Sequence, residues 1–380
     1  MQNLSPSSKF EDLSSQGHNG RRRIDSLRGA FDKDKLSALY IVDPSNIRYL
    51  TGFTGSFARL VIPLEREEIA LITDGRYVEQ AASELANHGL GDAFRIVPVS
   101  EQDAELSANL GQTGRLGAEG HSLTWDELER LSSHIEFNRI QRIDNVTLKL
   151  RATKDEFEIR LLTHAAAIAN AALANVLSLL GESPTEREFA QSLDNAMFQG
   201  GATAISFPTI VASGPRSSLP HGQPTDRRIS RGDVVVVDFG AEFHGYHSDC
   251  TRTFSIGEPS DKAVHAYQAV SAAQQRGVEA SIAGASISEI DRLVRAVLAE
   301  EGLVDRFVHG LGHGVGLQIH ELPMFLRSET AALATNQVIT IEPGVYLPNE
   351  FGIRIEDSLI VRDSEPLVIT KAPKDWIIAI

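Results

Sequence analysis

Hydrophobic and polar positions fall into two textures along the chain. From about residue 21 to residue 146, short apolar runs alternate with segments of helical period. Residues 38–42 read as a strand, and Asp43-Pro44-Ser45-Asn46 as the turn after it, because Asp, Pro and Asn favour tight turns. Residues 60–62 and 68–72 read as paired strands around a charged turn, residues 76–86 as a helix and residues 96–99 as another strand. That alternation predicts an α/β domain over residues 21–148. Residues 145–151 are expected to bridge to a second domain, residues 151–380.

The second domain opens on helical signals. Thr153-Lys154-Asp155-Glu156 has the S/T-x-x-E form of a capping box, so an Ala-rich helix should follow, running to residue 180 and stopped by Gly181. Thr185 and Glu188 form a second box, opening a helix to about residue 199. A loop-rich stretch with Pro208, Pro215 and Pro220 comes next. Four valines at 234–237 then predict a buried strand. Residues 263–280 and 288–301 read as helices, and the C-terminal stretch as short strands separated by Gly and Pro.

Composition narrows the function classes. The 380 residues suffice for two or three domains. With 42% hydrophobic residues the chain can build a core without staples. Cys250 is the only cysteine, which excludes an intrachain disulfide and points to a reducing, cytoplasmic setting. Lys and Arg number 36 against 51 Asp and Glu, and the net charge of −15 disfavours nucleic acid and anionic membrane surfaces as partners. No run of about 18–20 apolar residues is evident, so no transmembrane helix is expected. Residues 1–20, rich in Ser, Gln, Asn and Gly, lack the apolar stretch of a secretory signal and are expected to be a disordered tail.

The acids and histidines of the second half carry the chemistry. Asp238 ends the valine strand, and Asp249 follows after Glu242-Phe243-His244-Gly245, as in a β-hairpin. A turn centred between Phe243 and His244 would set Asp238 directly opposite Asp249. Like charges across a ladder repel, and a bound cation is the simplest compensation. His309-Gly310-Leu311-Gly312-His313-Gly314-Val315-Gly316-Leu317-Gln318-Ile319-His320 places three histidines among four glycines. Histidine is the commonest metal ligand, and the glycines imply backbone held close to a neighbour. Thr340 and Glu342 share one face of a strand, as do Arg354 and Glu356 of the next, with Ile353 and Ile355 on the other face. Four carboxylates and one imidazole suit a hard or borderline divalent ion, and five ligands exceed what one ion needs. Two ions a few ångströms apart can activate water to hydrolyse an amide bond.

These motifs resemble the ligand motifs of the pita-bread metallopeptidases, the family that includes methionine aminopeptidase, aminopeptidase P and prolidase. The resemblance rests on Asp238 and Asp249, His309-Gly310-Leu311-Gly312-His313, Ile341-Glu342-Pro343-Gly344 and Arg354-Ile355-Glu356-Asp357, in order and spacing. Ser217-Ser218-Leu219-Pro220-His221-Gly222 matches the loop that carries a catalytic histidine. Asn46-Ile47-Arg48-Tyr49-Leu50-Thr51-Gly52-Phe53-Thr54-Gly55 and Thr73-Asp74-Gly75-Arg76-Tyr77 resemble the creatinase/prolidase N-terminal domain. The resemblance implies a two-domain α/β architecture, in which a creatinase-like α/β domain precedes a pita-bread α+β catalytic domain with an antiparallel sheet.

It also implies roles. Asp238 would chelate one metal, Asp249 and Glu356 would bridge both, and His313 and Glu342 would complete the other. The cofactor would be two divalent ions, Mn²⁺ first, with Co²⁺ or Zn²⁺ as alternatives. Glu342 would also take the proton of the attacking water. His221 and His320 would contact the substrate carbonyl or the tetrahedral intermediate, and Arg354 would orient carboxylates from behind. His309 would be a neighbouring polar support or a structural residue. Cys250 is turned from the site by strand alternation, His247 shares the parity of Asp249, and Asp74 with Arg76 reads as a structural turn pair.

The implied substrates are small peptides with proline at position two, and the implied assembly is a homodimer. Two specificities compete: an aminopeptidase P acting on longer Xaa-Pro peptides, and a prolidase restricted to dipeptides. Many prolidases carry an Arg soon after the His-Glu or His-Asp pair. Here His320-Glu321-Leu322-Pro323 is followed by Met324, and the nearest arginine is Arg327, which favours the aminopeptidase. A metal-free creatinase-type hydrolase and a non-enzymatic binding module are the remaining alternatives. Both tend to lose ligands that are all present here.

Overall fold

The computed structural model describes residues 17–143, 145–326 and 329–378, which form two compact units that divide at Arg151 and Ala152. Most of the expected tail, residues 1–16, lies outside the described residues. A helix, Gly20–Gly29, begins on the last residue of that tail.

Among the described residues, the first unit is built on a six-stranded mixed sheet. The central Ala38–Ile41 strand pairs antiparallel with Arg59–Pro63 and parallel with Leu116–Glu119. All four of its residues are buried, as a strand covered on both faces requires. Arg59–Pro63 pairs antiparallel with Ile69–Thr73, as the charged turn between them predicts. Asp43-Pro44-Ser45-Asn46 is not a free turn. Asp43 caps a helix, Pro44–Thr51, its side chain accepting from the Asn46 N–H, and Pro44 takes the first helical position, where its missing N–H is no loss. Arg76 donates to Asp74 at 2.8 and 3.0 Å, a local turn pair. Where a bridge was expected, residues 146–152 form a helix, Val146–Ala152.

The second unit opens with a long helix, Glu156–Val176. Its capping box is Asp155 with Glu158, two residues beyond the expected one; Thr153 instead bridges to Gln337. A 3-10 turn, Leu177–Glu182, continues it. Glu156–Glu182 has the length and composition to cross a membrane, a test that the core helix of a folded domain also passes. Its stripe of Leu161, Leu162, Ala165, Ala169 and Leu173 is instead buried within this unit, as in a core helix. The Thr185–Glu188 box opens Glu186–Gln199 as predicted.

Among the described residues, the strands of this unit are antiparallel apart from one short parallel pairing at Ser255–Ile377. Val234–Phe239 lies between Ile210–Ser213 and Cys250–Ile256. A second sheet runs Glu321–Met324, His313–Gly314, Val338–Ile341, Asp357–Ile360, Leu367–Val368. The hairpin of Gly344–Leu347 and Phe351–Arg354 packs against the first of these sheets, Arg354 exchanging hydrogen bonds with Thr253. Helices Asp261–Ala280 and Ile287–Glu300 cover a core that includes Val270, Val294, Ile339, Ile341, Ile353 and Ile355.

Candidate metal and active site

The hairpin that carries the two aspartates is offset by two residues from the expected register. Phe243 pairs with Tyr246, and His244 and Gly245 form the turn with φ of 48° and 81°. A two-residue hairpin turn with positive φ at both positions matches the twist of its strands, and Gly245 adopts it without strain. Asp238 therefore pairs with Thr251, not with Asp249. A shift of two preserves parity, so Asp249 stays on the same face as Thr251. The carboxylates are diagonal neighbours rather than direct opposites.

The remaining acids and His313 converge on that face. His313, between Gly312 and Gly314, opens the two-residue strand His313–Gly314. A Cβ on Gly312 would lie 2.1 Å from the Thr340 carbonyl, and one on Gly314 would lie 2.2 Å from that of Leu322. Only glycine lets the backbone approach so closely. Asp249, His313 and Glu356 offer ligand atoms within 4.8 Å of one another. His313 Nε2 is 3.5 Å from Asp249 Oδ2 and 3.5 Å from Glu342 Oε1.

Hydroxyls hold these carboxylates in place. Thr340 Oγ1 donates to Glu342 at 3.3 Å and accepts from the His313 N–H at 3.1 Å. Thr251 Oγ1 donates to Glu356 Oε2 at 2.7 Å and accepts from Arg354 Nε at 3.0 Å. The Arg354 guanidinium also donates to Asp238 Oδ2 at 2.6 Å, the Tyr346 hydroxyl at 2.8 Å and the Pro220 carbonyl at 3.0 Å. Tyr346 OH lies 3.0 Å from His309 Nε2.

The electrostatics suit a cation. Asp238 Oδ1 and Glu356 Oε1 are buried with no hydrogen-bond partner. Burial, then the charges of Glu356, Asp238 and Glu342, push the Asp249 carboxyl well above the usual range. Burial and the charges of Glu342 and Asp238 do the same to Glu356, and burial with the Asp238 charge pushes Glu342 up to about 8. Burial and neighbouring His320 hold His313 down at about 4, so its imidazole is neutral and able to ligate. Carboxylates this crowded ionise together only beside positive charge. Orphaned oxygens, a neutral imidazole and clustered acids are together the donor set of a divalent-metal site.

A stability prediction follows for the metal-free protein. Glu342 titrates near 4.5 when unfolded and near 8 when folded. Between those values the native state keeps a proton that the unfolded state has released, so stability falls as pH rises. Chelated protein should therefore melt several degrees lower at about pH 8 than at about pH 5. Scanning calorimetry checks this, and a Tm that rises across the window would contradict it.

The cluster forms the floor of a cavity of about 530 Å³. Asp238, Asp249, His313, Glu342, Arg354 and Glu356 all line it, and so do His221, His309 and His320. The His313 and His320 rings meet edge to face, their centroids 4.4 Å apart. Phe207, Pro208, Ile210, Ile319, Met324 and Phe325 supply apolar walls. The Cys250 thiol points to the Glu356 carbonyl at 3.7 Å, and burial pushes its pKa up. His247 is not among the residues lining the cavity. Arg327 lies outside the described residues.

Thr251 and Tyr346 were not singled out from sequence. For Thr251 strand parity was the signal, since it shares a face with Asp249.

Comparisons with known proteins agree with this geometry. Residues 160–363 match Metallopeptidase family M24, and residues 23–153 match the Creatinase/Prolidase N-terminal domain. An Xaa-Pro dipeptidase of Pyrococcus furiosus is 35% identical over 93% of this chain and 99% of its own. The structure of an Xaa-Pro dipeptidase from Bacillus anthracis superposes with a TM-score of 0.89 at 37% identity, covering 95% of this chain and 100% of that one. An X-Pro aminopeptidase from Thermotoga maritima superposes at 0.84 and 33% identity, covering 94% and 99%.

Proposed function

The chain belongs to metallopeptidase family M24 and carries a creatinase/prolidase N-terminal domain, and from that membership we propose that it hydrolyses the bond before proline at the N-terminus of small peptides. Two divalent ions would be held by Asp238, Asp249, His313, Glu342 and Glu356. Mn²⁺ is the first choice and Co²⁺ or Zn²⁺ the alternatives. When bound, they supply Lewis-acid activation of a water and of the scissile carbonyl.

The chain's own groups do the rest. Glu342 takes the proton as the water attacks, then passes it to the departing prolyl nitrogen. That nitrogen belongs to a tertiary amide and carries no hydrogen of its own. His221 and His320, at the cavity wall, donate to the oxygen that gains charge. Arg354 acts as a positioning residue, tying Asp238 to the backbone before His221. The apolar wall excludes water and accepts the pyrrolidine ring.

One observation carries the aminopeptidase reading. Among the described residues lining the cavity, Arg354 is the only Lys or Arg, and its guanidinium is committed to Asp238, Thr251, Tyr346 and Pro220. Among the described lining residues no other fixed cation is offered to the free carboxylate of a dipeptide, and Met324 lines the wall. Peptides whose proline continues into a further residue present an amide and avoid that unpaired charge. The dipeptidase reading draws on the names of the Pyrococcus and Bacillus relatives.

The test compares Ala-Pro with Ala-Pro-Ala in the wild type and in Met324→Arg. The wild type should prefer the tripeptide, and the variant should shift the ratio toward the dipeptide. Preference of the wild type for Ala-Pro would establish the dipeptidase.

His221→Ala should lower kcat about 10²-fold or more, the scale of one lost oxyanion donor, with metal content unchanged. A fall in metal content, read by elemental analysis, would move His221 into the ligand set. We place the protein in the cytoplasm as a homodimer; sedimentation of the purified chain checks the oligomeric state.

A further inference from the structure

Strand alternation gives each ligand strand a second face. Asp249 and Thr251 face the cation site, so Arg252 faces away, and Asp357 likewise follows Glu356. On that far face Arg252 and Asp357 form an ion pair at 2.7 Å, each about 1% exposed.

The pair is bonded to the backbone of the site. Arg252 Nη1 donates to the Thr251 carbonyl at 2.9 Å and the Glu356 carbonyl at 2.5 Å. Its Nε and Nη2 donate to the Ala372 carbonyl at 3.0 and 2.8 Å. Asp357 Oδ1 also accepts from Thr370 at 3.0 Å, while Oδ2 accepts from Gln274 at 3.0 Å and Lys374 at 2.7 Å. Ser358, the next residue, donates to the Asp249 carbonyl at 2.7 Å. Glu356 is thus held at both ends. Arg252 holds its carbonyl, Thr251 holds Oε2, and Oε1 is left without a partner.

We propose that Arg252 and Asp357 are positioning residues that hold the Thr251 and Glu356 backbone, and so aim the Glu356 carboxylate at the cation. The proposal rests on the metal-site reading above. A guanidinium suits the role because its planar fork reaches two carbonyls and a carboxylate at once, which an ammonium cannot do. Outer partners of a metal site typically contribute 10–100-fold to its affinity. Lys374, 40% exposed, reaches the network from a separate cavity of about 440 Å³ that Arg252 and Asp357 also line.

The experiment is calorimetric titration of Mn²⁺ into the chelated full chain, with turnover measured at limiting and at saturating Mn²⁺. Arg252→Lys and Asp357→Asn should weaken Mn²⁺ binding about 10–100-fold, and saturating Mn²⁺ should restore most of kcat. A lower Tm with unchanged Mn²⁺ affinity would show a purely structural pair and overturn the proposal. Should those variants fail to fold, Lys374→Met decides. It should weaken Mn²⁺ binding about two- to fivefold, the fold-change matching a half-exposed ion pair, and wild-type affinity would overturn the proposal. A wild type that binds no divalent ion would instead overturn the metal-site reading itself.

Discussion

Glu342→Gln should lower kcat about 10²–10⁴-fold, the contribution of a well-placed general base, while metal binding survives in part. Glutamine keeps the shape of the side chain and one carbonyl oxygen, so the 3.3 Å bond from Thr340 can persist. What it removes is the ability to accept a proton beside the cavity floor. Of the five proposed ligands, Glu342 alone is assigned both binding and proton transfer, so the two effects should separate. Turnover should collapse at every Mn²⁺ concentration, including saturation. Turnover restored by excess Mn²⁺ would make Glu342 a ligand only and transfer the base role elsewhere.

Chelation should have an effect of similar or greater size. Without cations, Asp249, Glu342 and Glu356 are held well above the usual carboxylate range by burial and by neighbouring carboxylates, Asp238 among them. A positive ion reverses that balance and makes the ionised forms favourable. EDTA treatment should therefore abolish peptide hydrolysis, and Mn²⁺ or Co²⁺ should restore it. Restored protein should also lose the downward trend of Tm with pH expected of the chelated form. Activity unchanged by EDTA, in protein that elemental analysis shows to be metal-free, would rule out the mechanism.

Much of the site was legible because strands advertise their faces. Period-two alternation set Thr340 with Glu342 and Arg354 with Glu356, and the structure places all four around one cluster. The Thr185–Glu188 box opens its helix as read, although Ser183–Glu186 offers the same signature two residues earlier; Ser183 takes a left-handed φ of 55°, whereas Thr185 has the extended backbone of an N-cap. Thr153–Glu156 also had a rival. Asp155–Glu158 offers the same signature two residues later, and the tertiary bridge from Thr153 to Gln337 selects between them. Asp43-Pro44 failed for a related reason, since Asp and Pro serve both turns and helix starts. The Asp238 register turned on which pair of residues takes positive φ, and His244 with Gly245 does so more readily than Phe243 with His244. Tyr346 had no local signal. Its role depends on Arg354 and His309, which only the folded chain brings to its hydroxyl.

The central claim is metal-dependent cleavage before proline. Its most direct test is mass spectrometry of the products from an equimolar mixture of Ala-Pro-Ala and Ala-Ala-Ala with Mn²⁺-reconstituted protein. The account predicts free alanine and Pro-Ala from the first peptide, with the second left essentially intact. Equal cleavage of Ala-Ala-Ala, or no cleavage of either peptide, would contradict it.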